Sequence, residues 1–148
     1  MFGLEMVTAA IASEWKEELG AGVDVVTPGR RLDGDASSEW AELDVELYTG
    51  RAGRPSGRFD AVTVIANVFA KAGEDAYRAR EIADTAKAAF DGRTVAVPDY
   101  DLSGRPVIGY VRLGEATLRD LTRSTAVRQE LSQCSLIWRG TAQPIAGL

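Results

Sequence analysis

Residues 59–70, FDAVTVIANVFA, restrict the fold of this chain more than any other stretch. Val62, Val64, Ala66 and Val68 alternate with Phe59, Ala61, Ile65 and Phe69, with Thr63 and Asn67 among the latter. Successive side chains of a strand point to opposite faces, so this strand is apolar on both. Both faces therefore need cover. A few residues on, over 74–90, Ala79, Ile82, Ala83, Ala86 and Phe90 recur at helical spacing. A helix there can cover one face of the strand. The second face needs either more of this fold or another subunit.

The flanking segments extend the pattern. Residues 2–19 place Leu4, Val7, Ile11, Trp15 and Leu19 on one helical stripe, and Gly20 and Gly22 supply the stop. A short strand is predicted at 23–27 and a polar loop at 29–39. In 40–49, WAELDVELYT, Leu43, Val45 and Leu47 alternate with Glu42, Asp44 and Glu46, the mark of a strand with one wet face. The Gly-rich run 50–58 joins it to the 59–70 strand, which predicts a long-looped hairpin. On the second helix, Glu74 with Arg78 and Arg80 with Asp84 have the spacing of helix-face ion pairs. Strands follow at 93–97 and from 107, with a loop at 98–106. Beyond Gly114 the segment 115–127 reads equally as helix or strand. A last strand is predicted within 128–140, with Cys134, Leu136 and Trp138 on one face. The tail from 141 shows no periodicity. The reading is a single α+β domain over 1–148: a mainly antiparallel sheet with two helices packed on one face and a long hairpin loop.

Composition narrows the chemistry. The chain has no histidine and one cysteine among 148 residues. Cys/His zinc sites, imidazole bases and internal disulfides are therefore excluded, and Cys134 is expected to be a small buried hydrophobe. Carboxylate-only sites survive, but Asp33 and Asp35 lack the remaining ligands of a calcium loop. Asp99, Asp101 and Glu115 have nothing in the sequence to place them in a cleft. No catalytic, metal or cofactor-binding residue is assigned, and no cofactor is expected. The net charge of −5 argues against general nucleic-acid binding. No apolar run reaches the roughly 20 residues that span a bilayer, and the N-terminus lacks a signal-peptide pattern, so no membrane is expected.

Interaction candidates remain. Arg51, Arg54 and Arg58 lie in GRAGRPSGR, a basic loop that can touch nucleic acid, touch an acidic neighbour, or simply stay solvated. It lacks the Lys-Ser/Thr pair of a phosphate loop. Val62, Val64 and Phe69 on the doubly apolar strand are candidates for subunit contact. Trp40 and Trp138 are candidate anchors because tryptophan is enriched at interface hot spots; core packing is the plainer reading of both, and of Trp15.

The element order, with the WAELDVELYT strand, the Gly/Arg loop, the fused FDAVTVIANVFAKAGEDAYRAREIADTAKAAF strand and helix and the late VRQELSQCSLIWRG strand, resembles the tail terminator proteins of long-tailed phages and tail-like particles. The resemblance spans roughly residues 3–140. It implies a non-enzymatic virion protein, made in the host cytoplasm and placed at the head-proximal end of the tail. It implies a homohexameric ring that caps the tail tube, stops its growth and joins the tail to the head connector. Expected partners are tail tube protein, connector protein and, at the lumen, DNA. A ring neighbour would then cover the second face of the 59–70 strand. The alternatives are another small head–tail connector (a stopper, adaptor or head-completion protein), a small carboxylate-metal hydrolase, and a free-standing ligand-binding domain.

Overall fold

The computed structural model describes residues 2–20, 22–27, 38–48, 60–71, 77–121 and 131–145. Helix α1 (Leu4–Leu19) leads into strands β1 (Asp24–Val26), β2 (Glu39–Tyr48) and β3 (Asp60–Lys71). Helix α2 (Arg78–Phe90) follows, then β4 (Thr94–Pro98), β5 (Val107–Leu113), β6 (Thr117–Asp120) and β7 (Leu131–Pro144). The seven strands make one sheet in the order β1-β2-β3-β7-β5-β4, with β6 pairing β7 beside β5. Every pairing is antiparallel except β1 with β2. Both helices pack on one face. The architecture is the α+β arrangement expected, with the β2–β3 hairpin in place.

The inner face of the sheet is continuous across the centre. Register sets Leu43 beside Ala66 and Leu136, and Val45 beside Val64 and Trp138. Ala79, Ile82, Ala83, Ala86 and Phe90 of α2 are buried, as their spacing predicts. On α1 the buried residues are Val7, Ala10, Ile11 and Trp15, whereas Leu4 is 48% exposed. The stripe thus lies slightly round the helix from the predicted one. Trp15 stacks on Phe90 at 5.6 Å, and Trp138 meets both rings edge-on at 6.4 and 5.8 Å. One aromatic cluster therefore ties the two helices to β7. Aromatic pairs of this geometry contribute about 0.5–1.5 kcal/mol each beyond the area they bury.

Polar contacts hold the ends of the layers. The Arg78 guanidinium binds Glu39 at the start of β2 and also reaches Glu81, and the two carboxylates hold its pKa above the usual arginine range. Arg78 thus turns toward the sheet; the spaced partner Glu74 lies outside the described residues. Arg93, just before β4, binds Glu14 and Glu18 of α1 at 2.8 and 2.6 Å. At the end of α2, the Asp91 carboxylate accepts hydrogen bonds from the Lys87 ammonium, the Ala116 N–H and Trp138 Nε1.

One departure from expectation and one reading left open by the sequence are both decided by pairing with β7. The last strand runs on to Pro144, past the predicted 140, because β5 pairs with its second half. Segment 117–120 is strand, because β6 pairs with its first half. Both pairings are long-range and leave little local periodicity. Where β5 approaches β7, Gly140 is required: a Cβ there would overlap the Arg112 carbonyl. Gly22 by contrast has open space around it. Gly140→Ala is therefore expected to lose about 3 kcal/mol of stability, the upper range of overpacking, because the clash is with backbone. Gly22→Ala is expected to stay within about 0.5 kcal/mol of the parent. Urea unfolding of the two variants checks both.

A second prediction concerns Asp91. Burial pushes its carboxyl upward, but the hydrogen bonds from Lys87, Ala116 and Trp138 outweigh that and hold the group below the ordinary carboxylate range. A depressed folded pKa stabilises the protein above the unfolded value near 3.8, and that stability is lost as pH falls through the folded value. Asp91→Asn is expected to cost about 1–3 kcal/mol at pH 7. It should also flatten the loss of stability below about pH 4, as measured by urea unfolding across pH.

Candidate interaction surface

The second face of β3 stands opposite the helices. Register places Trp40, Glu42, Asp44, Glu46 and Tyr48 of β2 on this outer face. They sit beside Phe69, Asn67, Ile65, Thr63 and Ala61 of β3. On the other side of β3 come Gln133, Ser135, Ile137, Arg139 and Thr141 of β7. Thr117 and Arg119 of β6, and Tyr110 and Arg112 of β5, complete the face. Thr63, Ile65, Asn67, Phe69 and Ile137 are half-buried, whereas Glu42, Asp44 and Glu46 are exposed. Both described helices lie on the opposite side of the sheet.

The sequence candidates divide between the two faces. Val62 and Val64 are each 1% exposed and belong to the core beneath the helices, so their side chains are out of reach of a partner. Trp138 is likewise a core residue, fixed by Trp15, Phe90 and Asp91. Trp40 and Phe69 are brought together on the outer face, stacked at 5.2 Å and 16°. The Trp40 indole N–H is buried without a hydrogen-bond partner among the described residues. Arg51, Arg54 and Arg58 lie outside the described residues. Sequence reasoning placed Ile65 on the second face of its strand without naming it as a contact, and it singled out neither Ile137 nor the three exposed arginines Arg112, Arg119 and Arg139. Their signal was present as alternate positions in strands, but only the sheet order shows that they share a face.

The remaining polar candidates have structural roles. Asp99 is buried and accepts the Asp101 N–H at 3.0 Å, closing the turn that starts the 99–106 loop. In that loop Arg105 takes a left-handed φ of 44°, with its guanidinium 5.4 Å from the Tyr100 ring centre. Among the described residues no three His, Cys, Asp or Glu side chains gather where they could hold a metal ion. A cleft of about 660 Å³ runs between α1 and the β1–β2 edge, lined by residues that include Thr8, Ala12, Lys16, Asp44 and Tyr100. No described helix is long and apolar enough to cross a membrane.

Cys134 lies in the core opposite Val68, and burial pushes its thiol up to about 11. The neutral thiol therefore persists through physiological pH, and its core position shields it from reagents. A thiol-reactive dye is expected to label the native protein at least ~100-fold more slowly than the urea-unfolded chain, since unfolding restores both access and an ordinary thiolate fraction. Equal rates would show that Cys134 is not held in the core.

No protein-family model and no curated protein matches this chain. Solved structures do share its fold. One solved chain, whose name carries no statement of function, superposes with a TM-score of 0.69 at 13% identity, covering 97% of each chain. A second, from the virion of a native gene transfer agent (GTA) particle, superposes with a TM-score of 0.52 at 15% identity. That match covers 93% of this chain and 94% of the other. At these identities the likeness is one of fold, and it runs over nearly the whole length of both molecules.

Proposed function

We propose that this chain is a structural protein of a phage-like particle. The observation that carries the reading is the match in fold, over nearly its full length, to a chain of a gene transfer agent virion. A fold alone hosts many functions, so the reading also draws on a second support. That support is the order of sequence elements, which resembles the tail terminators. On this reading residues 1–148 act as one domain without enzymatic activity. Six copies close into a ring on the last layer of tail tube protein, end its growth and meet the head connector. The site of action is the head-proximal end of the tail.

A ring of identical subunits closes through a contact that repeats head to tail, with two different patches meeting at each junction. Arg51, Arg54 and Arg58 serve such an assembly as a basic element amid an acidic chain, against a carboxylate surface or against DNA in the lumen. Arginine suits both, because its guanidinium binds carboxylate or phosphate through two hydrogen bonds.

Mass photometry and electron microscopy of the purified protein, alone and with tail tubes, test the ring. Six-membered rings, free or seated on tube ends, are the expected outcome. A chain that stays smaller than a ring at high concentration and leaves tube ends bare overturns the terminator reading. Replacing Arg51, Arg54 and Arg58 together by Ser is expected to reduce completed particles at least ~10-fold with the fold retained, the scale of losing a few surface charge contacts. Unchanged particle yield and tail length would remove these arginines from the functional account.

A further inference from the structure

The outer face of the sheet is laid out in rows that complement themselves. One row reads Glu42, Asn67, Ser135, Arg119 across the strands. The next reads Asp44, Ile65, Ile137, Thr117. Then come Glu46, Thr63 and Arg139, and after them Tyr48, Ala61, Thr141 and Arg112. The face thus has an acidic flank on β2, an uncharged centre around the two isoleucines, and an arginine flank on β5, β6 and β7. Arg112, Arg119 and Arg139 are exposed, as are Glu42 and Asp44. None of these five makes an ion pair with a described residue.

We propose that this face pairs with the same face of a second copy, about a twofold axis that runs along the strands between β3 and β7. Rotation about that axis keeps every row at its own height and exchanges the flanks. Glu42 then stands over the partner's Arg119, and Ile65 over the partner's Ile137. Glu46 lies one diagonal step from the partner's Arg139, and the Tyr48 ring faces the partner's Arg112, a cation–π arrangement. An axis running across the strands would instead lay acid on acid and arginine on arginine. The charge pattern therefore selects one of the two ways in which the sheets can stack. Two sheets packed face to face keep their strands within about 30° of each other, which this axis allows.

Size sets the strength of the pair. Four strands at ~4.8 Å spacing and about eight residues at ~3.4 Å give a face on the order of 500 Å² per copy. Two such faces bury roughly 1,000 Å², at the low end of specific interfaces. The pair is therefore a weak dimer held largely by charge, and salt weakens it. The inference stands apart from the ring reading. It assigns the second apolar face of β3 to a twofold partner and leaves ring closure to other surfaces.

Sedimentation equilibrium of the full chain at about 50 mM and 500 mM salt tests the pairing, with the charge variants chosen on exposed positions so that folding is kept. Two-copy association at low salt is expected, weakened at least tenfold at high salt. Arg119→Glu and Glu42→Arg should each weaken it at least tenfold. The double variant carrying both changes should restore it, because each reversed charge meets its reversed partner. Ile65→Asp, placed at the centre of the face, should abolish pairing, with circular dichroism confirming the fold. Association that ignores all the single variants, or a double variant no better than either single, overturns the proposal, as does a chain without two-copy association at millimolar concentration. Rings formed by Arg119→Glu would leave the terminator reading standing while the pairing is lost. Salt-sensitive pairs without rings would leave the pairing standing alone.

Discussion

β3 and β7 pair without interruption from Asp60 with Ala142 to Lys71 with Leu131, and every other part of the molecule takes its position from that ladder. β2 adds to one side of it, β5 and β6 to the other, and α2 lies across both strands. The register is under strong constraint. A slip of one residue would send Cys134, Leu136 and Trp138 to the outer face and bring Gln133, Ser135 and Ile137 under the helices. It would break the aromatic cluster and the hydrogen bond from Trp138 to Asp91, and it would bury two uncompensated polar side chains.

The ladder also explains which features could be read along the chain and which could not. The inner stripe of α2, the alternation of β2 and the double apolarity of β3 are local patterns, and each appears where its period places it. Sheet order is not local. Nothing in the stretch from Gly114 to Leu121 distinguishes a helical Leu118 from one lying beside Leu136 in a strand, because the neighbour that decides the matter is more than a dozen residues away. For Trp40 only the neighbour is non-local. It begins a strand whose following apolar residues point inward, yet its own position in the alternation sends it outward onto Phe69. The arginines of the outer face are scattered through three strands, and only the fold collects them.

The two faces of the sheet are stabilised by different means. The inner face is closed by aromatic packing of about 0.5–1.5 kcal/mol per ring pair and by the burial of nearly every aliphatic side chain it carries. The outer face has modest apolar content and separated charge, so it adds little to the stability of a lone copy. A surface of this kind holds partners by complementarity of pattern.

The central place of β7 has a consequence for biosynthesis. The ribosome must add the 59 residues between Lys71 and Leu131 after β3 is complete before the strand that pairs with β3 begins to emerge. At ~5–20 residues per second this takes roughly 3–12 s. Through that interval β3 has one open edge and an incompletely covered apolar face, a template for wrong pairing with a neighbouring nascent chain. Folding of this domain is thus completed only once β7 has emerged, and a messenger crowded with ribosomes would bring such unfinished chains close together.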